Sequence, residues 1–88
     1  MTVLVDSALW PRGGRLWAHL VSDQSYAELH DFARRLGIPQ RAFQGDHYDV
    51  PAELRDRALA AGAVPVGSRE LLTRLRTAGL RRARRSRE

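Results

Sequence analysis

The chain has no cysteine among its 88 residues. That excludes disulfides, thiolate nucleophiles and cysteine-held zinc or iron–sulfur sites. Lysine is also missing: all 15 basic residues are arginine. With abundant alanine and leucine, this is the codon bias of a high-GC bacterial genome, and it precedes any functional reading of arginine. No apolar run approaches the ~18 residues of a membrane span. Met1 to Asp6 lacks the charged start and apolar stretch of a secretory signal. The expectation is a cytoplasmic protein with no membrane contact.

What is present fits one small soluble domain, 43% hydrophobic and 28% charged. At this length folding buries only about 60% of the surface of the unfolded chain, so the core is thin. A monomer has room for a shallow cleft; a deeper pocket calls for a second subunit, so a homodimer is an expected assembly. The net charge of +5 is uneven. Residues 1–75 hold nine arginines and nine acids, whereas residues 76–88 hold six arginines against Glu88. The reading is a neutral α/β domain over 1–76 and an Arg-rich, disordered tail over 77–88.

Thr2-Val3-Leu4-Val5 is a β-branched apolar run with Asp6 at its end, the pattern of a strand buried on both faces. Ser7 to Arg15 reads as loop, broken by Pro11, Gly13 and Gly14. Leu16 to Val21 reads as a strand, although so short a run also suits a helix; alternation puts Trp17, His19 and Val21 on one face. Ser25 and Glu28 form a capping box ahead of a helix burying Leu29, Phe32, Ala33 and Leu36, closed by Gly37 and Pro39. Arg41-Ala42-Phe43 reads as a weak strand. Pro51 opens a second helix carrying Leu54, Ala58 and Ala61 on one face, and Ala63 to Val66 reads as an edge strand because Pro65 cannot donate. Ser68 is placed as N-cap of a third helix buried through Leu71, Leu72 and Leu75. The order predicts a small two- or three-layer α/β domain of about four largely parallel strands and three helices.

In open α/β sheets ligands bind beyond the carboxyl ends of the strands. Asp6, Ser22-Asp23, Asp46-His47-Tyr48-Asp49 and Gly67-Ser68-Arg69 follow such ends, so a parallel sheet would gather them on one rim. His47 beside Asp49 is the candidate for acid–base chemistry. Asp6, Asp46 and Asp49 with His47 offer oxygen and imidazole ligands, and a carboxylate-rich set suits Mg²⁺ or Mn²⁺ better than zinc. His19 and Asp23 are further polar support. No recognised metal spacing is present, and the structural alternative has Asp46 or Asp49 capping the second helix, with Tyr48 a partly buried ring. Ser68 and Arg69 at a helix start suit a phosphate or another anion, or else an ordinary cap. Trp10 is a candidate ligand contact or a core residue. The arginine tail suits nucleic-acid phosphates without base stacking, or a solvated end.

Asp6, Trp10-Pro11, the run Leu16 to Asp23, Asp46-His47-Tyr48-Asp49 and Gly62 to Val66 together resemble a small bacterial and phage family, domain of unknown function 4031. The resemblance covers residues 1 to about 76. It implies that Asp6, Trp10, His19, Asp23, His47, Tyr48 and Asp49 fall in signature segments, and it implies no activity. Three functions are expected to compete. The first is binding, and with a divalent metal hydrolysis, of a phosphorylated or nucleotide-like ligand. The second is nucleic-acid binding through the tail. The third is a protein-interaction module presenting Trp10 or Trp17.

Overall fold

A computed structural model describes residues 2–82. The elements are β1 (Val3–Val5), β2 (Trp10–Arg12), β3 (Arg15–Ser22), α1 (Tyr26–Arg35), a 3-10 turn (Gln40–Ala42), β4 (Tyr48–Pro51), α2 (Ala52–Ala60), β5 (Val64–Pro65) and α3 (Ser68–Thr77). This is an α/β fold of three helices and a five-stranded mixed sheet. Among the described residues no helix is long and apolar enough to cross a membrane.

The sheet is mostly antiparallel, which corrects the expected parallel arrangement. β3 pairs antiparallel with β1, β2 and β4, and only β1 with β5 is parallel. Helices that alternate with strands do not have to act as parallel crossovers. Here α1 returns the chain to the edge of the strand it left, so β4 runs against β3. Leu20 faces both Val5 and Tyr48, and Trp17 faces both Trp10 and Pro51. A strand has two edges, so β4 occupies one edge of β3 while β1 and β2 share the other.

Between Val5↔Leu20 and Trp10↔Trp17, one strand advances five residues while its partner retreats three. The segment from Asp6 to Leu9 is therefore a bulge in one long ribbon, closed by a hairpin at Gly13-Gly14. Both glycines have positive φ (60° and 78°), as a two-residue hairpin turn requires. The segment read as loop thus contains β2. Pro11 obscured it, and Pro11 is tolerated because β2 ends at the sheet margin.

Alternation along β3 and β4 divides the core. Ala18, Leu20, Tyr48 and Val50 are fully buried on the face covered by α1 and α2, together with Val3, Val5, Leu29 and Phe32. Leu4 and Val21 point to the other face, where Leu71 and Leu75 of α3 cover them. Each fully buried leucine or valine contributes about 1.5–3 kcal/mol, so the first face supplies most of the hydrophobic stability.

Local signals set the helix ends. Ser25 Oγ accepts from Glu28 N–H at 3.1 Å, but the Glu28 carboxylate accepts from Ser22 Oγ instead of reaching back to Ser25. Gly37 (φ 85°) ends α1, with Ile38 N–H donating to the Ala33 carbonyl and Gly37 N–H to Arg34, the paired bonds of a Schellman motif. Three further expectations are corrected. Arg41 and Ala42 lie in the 3-10 turn, and only Phe43 bridges to Tyr48. Tyr48 is wholly buried, not partly, because it sits on the inward side of β4. The N-cap of α3 is Gly67, which leaves the Ser68 hydroxyl for another partner.

Past residue 76 the described chain lies on the body of the protein. Gly79 (φ 75°) turns it, Leu80 packs against the α3 core, and Tyr26 Oη donates to the Leu80 carbonyl. The rest of the expected tail, residues 83–88, lies outside the described residues.

Candidate functional site

The bulge after β1 creates the first half of the site. Asp6 N–H donates to the His19 carbonyl at 3.2 Å, and the Asp6 carboxylate then takes the place of a main-chain acceptor. Its Oδ1 accepts from His19 N–H at 2.6 Å, and its Oδ2 lies 2.8 Å from His19 Nδ1. Ser68 Oγ donates to the same Oδ2 at 2.8 Å, and Arg55 Nε donates to the Asp6 carbonyl at 2.6 Å. Asp6 is almost fully buried. Burial raises its pKa, but the bonds from the His19 ring, the His19 amide and Ser68 outweigh it and hold the carboxyl below its ordinary value.

The turn before β4 builds a similar pair. Gln44 N–H donates to the His47 carbonyl at 2.8 Å around Gly45, whose φ of 95° suits glycine alone. Asp46, also buried, places Oδ1 2.8 Å from His47 Nδ1. Its Oδ2 accepts from Arg81 Nη1 and from Arg82 N–H, each at 2.9 Å. Burial again raises the pKa, and the bonds from His47, the Arg82 amide and Arg81 bring it below the ordinary value.

Strand alternation joins the halves. Tyr48 and Val50 point into the α1/α2 core, so His47 and Asp49 must point to the other face, and the register sets Asp49 directly opposite His19. The His19 and His47 rings are 5.3 Å apart, centroid to centroid. His47 Nε2 lies 3.1 Å from Asp49 Oδ1, and Arg12 Nη1 lies 3.5 Å from Asp49 Oδ2. The His47–Asp49 approach is a charge pair and not an aligned hydrogen bond, so Asp49 Oδ1 is buried with no donor among the described residues. Burial lowers the His47 pKa, while Asp49 and Asp46 outweigh it and raise it above the ordinary value. One donor atom each from His19, His47 and Asp49 lie within 4.8 Å of one another, a group able to hold a metal ion.

A cavity of about 710 Å³ opens beside this cluster. Asp6, His19, Asp46, His47 and Ser68 form its polar end, Val21, Leu71, Leu72 and Leu75 its apolar wall, and Arg81 and Arg82 part of its rim. Trp10 stacks on His19 at 5.3 Å and 21°, and on Trp17 at 6.3 Å; the Arg12 guanidinium lies over both indoles.

Of the residues singled out in the sequence, Asp6, His19, Asp46, His47, Asp49, Ser68 and Trp10 come together. Asp23 does not: it pairs with Arg74 at 2.7 Å and ties α3 to the end of β3. Arg69 is exposed and does not line the cavity. Arg81 and Arg82 fall in the expected tail, and no local pattern separates them from the three arginines that follow. His30, which lies beside the apolar stripe of α1 in the sequence, braces the reverse side of β4, with Nδ1 2.8 Å from Tyr48 Oη.

The chain belongs to the family described as Protein of unknown function (DUF4031), whose model matches residues 3–78. No curated protein and no solved structure matches it.

Proposed function

We propose that this protein is a small hydrolase that binds a phosphorylated or nucleotide-like ligand in the cavity between β3 and α3. The observation that supports this reading is the meeting of two carboxylate-backed imidazoles, Asp6–His19 and Asp46–His47, at the polar end of a cavity whose opposite wall is leucine. Buried carboxylates orient the rings, and oriented imidazoles near a reacting centre can take a proton from water and return one to a leaving group. A divalent metal at the same place would lower the pKa of bound water and supply the nucleophile near neutral pH.

The rim gives the reason for an anionic ligand. Arg81 and Arg82 reach it from the chain beyond α3, and guanidinium groups bind phosphate oxygens in pairs. Leu71, Leu72 and Leu75 offer an apolar surface to the rest of the ligand. A ligand with a charged end and a flat or apolar end fits that division. The nucleic-acid reading rests on the arginine tail, whose residues 83–88 lie outside the described residues, and Arg12 covers both Trp10 and Trp17, which the protein-interaction reading needs free.

The test is release of inorganic phosphate from a panel of phosphomonoesters and nucleotides by the full chain, with divalent metal supplied. Turnover of at least one class is expected, reduced by about 10²–10⁴-fold in His47→Gln. If the panel shows neither turnover nor binding by calorimetry, the reading is wrong.

A further inference from the structure

We propose that His19, His47 and Asp49 form a three-ligand site for a divalent transition-metal ion of the zinc class, with Asp6 and Asp46 as positioning residues behind the two imidazoles. The inference rests on the hydrolytic reading for its purpose, but its readout is metal binding.

The two carboxylates most easily picked as ligands are already largely occupied, with three of about four acceptor sites used on each. Asp6 accepts from the His19 amide, the His19 ring and Ser68, and Asp46 from the His47 ring, Arg81 and the Arg82 amide. What they do instead is hold each Nδ1 at 2.8 Å. A carboxylate on Nδ1 makes that nitrogen the protonated one and turns the Nε2 lone pair outward, which is how metal-binding histidines are generally oriented. Two such imidazoles on one site are a stronger signal than any cluster of acids.

The second observation concerns the carboxylate between the two rings. Asp49 is about nine-tenths buried, and its Oδ1 has no hydrogen-bond donor among the described residues. A buried carboxylate oxygen 3.1 Å from His47 Nε2 and close to the His19 ring brings three electron-pair donors together, and a cation between them, a proton or a metal ion, relieves their repulsion. The donors lie within 4.8 Å of one another, whereas ligands bound at about 2.0–2.2 Å around a tetrahedral ion sit about 3–3.5 Å apart. Binding would draw the donors together by about 1.5 Å, and His19, one-third exposed, has room to tilt about its Nδ1 bond to Asp6.

Two nitrogens and one oxygen select the ion. Mg²⁺ requires oxygen donors and retains water, whereas imidazole suits zinc and its neighbours. This moves the expected ion away from the Mg²⁺ or Mn²⁺ that a carboxylate-rich set suggests. Three protein ligands leave a coordination position for water, as in catalytic zinc sites. His19 and His47 line the cavity and Asp49 does not, so the open position faces the cavity. Trp10 lies along His19 and shields that ring.

The experiment uses the full, untagged chain after chelator treatment. Zn²⁺ and Mg²⁺ are titrated by calorimetry, and Co²⁺ is followed by its visible absorption. One Zn²⁺ per chain is expected, with Mg²⁺ more than about 100-fold weaker. Asp49→Asn and His47→Gln should each lose more than about 100-fold in Zn²⁺ affinity, and Asp6→Asn and Asp46→Asn about 10–100-fold, with far-ultraviolet circular dichroism unchanged. Arg69→Ala should bind as the parent does. If a histidine variant fails to fold, Asp49→Asn carries the test, because Asp49 Oδ1 accepts no hydrogen bond that folding needs. The proposal is overturned by absence of zinc binding, by Mg²⁺ binding as tightly as Zn²⁺, or by zinc binding that survives Asp49→Asn. Zinc binding without phosphate release keeps this site and rejects the hydrolase; phosphate release without zinc binding does the reverse.

Discussion

On the face covered by α1 and α2, β3 contributes Ala18 and Leu20 and β4 contributes Tyr48 and Val50, all fully buried. On the face shared with α3, the same two strands contribute Trp17, His19 and Asp49, with His47 just before them. One pair of strands thus builds a dry core on one side and a polar cluster on the other. α3 covers only part of the second face, through Leu71 and Leu75 against Leu4 and Val21, and the uncovered remainder is the cavity. Stability concentrates on one face and chemistry on the other. A largely buried polar cluster on a sheet this small is offset by the apolar packing of the opposite face.

Substitutions on the two faces test that division. Leu20→Ala opens a void beneath α1 and should cost about 2–5 kcal/mol, read from urea unfolding. If the loss is below 1 kcal/mol on that scale, the first face is not the main source of stability. Asp6→Ala comes next, at about 1–3 kcal/mol, because it leaves the His19 amide and ring and the Ser68 hydroxyl without an acceptor.

The pH dependence of the metal-free chain follows from the same bonds. Asp6 and Asp46 have folded pKa values below their unfolded value of 3.8. The unfolded chain takes up their protons first. Their contribution is therefore complete above about pH 3.8 and is lost as pH falls through the lowered folded values. His47 is raised above 6.5, so its contribution is complete below about pH 6.5 and is lost as pH rises through its folded value. Unfolding measured from pH 2 to 9 should show greatest stability between these limits, and Asp46→Asn should shallow the acid arm.

Asp49→Asn sharpens the comparison by reversing sign. At alkaline pH, above the His47 titration, removing the charge from a buried oxygen without an aligned donor should stabilise the metal-free chain by about 0.5–2 kcal/mol while weakening zinc binding by more than about 100-fold. A destabilised variant there would mean that the second face carries no stored cost. The smallest change is expected far from both faces. Arg34→Ala removes an exposed i,i+3 pair with Asp31 and should shift stability by no more than about 0.5 kcal/mol.

Short-range signals were legible in the sequence. α1 could be read from its cap, its stripe and its terminating Gly37 because each depends on residues within four positions of one another. β2 was hidden because Pro11 argues against a strand, although Gly13-Gly14 carried the turn signal. Strand direction was not legible at all. It depends on β3 pairing with three partners, two upstream and one downstream, and alternating strands and helices fit either direction.

The candidate site divides in the same way. Alternation alone places Trp17 with His19, since residues two apart in a strand share a face; His47 and Asp49 read as a segment past a strand end, and only the structure puts Asp49 in β4 with His47 just before it. That these two sets oppose each other was decided by the tertiary structure. Leu20 and Ala18 must meet Tyr48 and Val50 to bury the core, and a slip of one residue would turn Asp49 inward and Tyr48 out. The place of Asp6 depends on a bulge, and the place of Arg81 and Arg82 on the chain turning back at Gly79. The sequence by itself determined which side chains share a face within β3 and along α1. Only burial summed across distant strands decided which faces meet, because no interaction within a few residues distinguishes one register from the next.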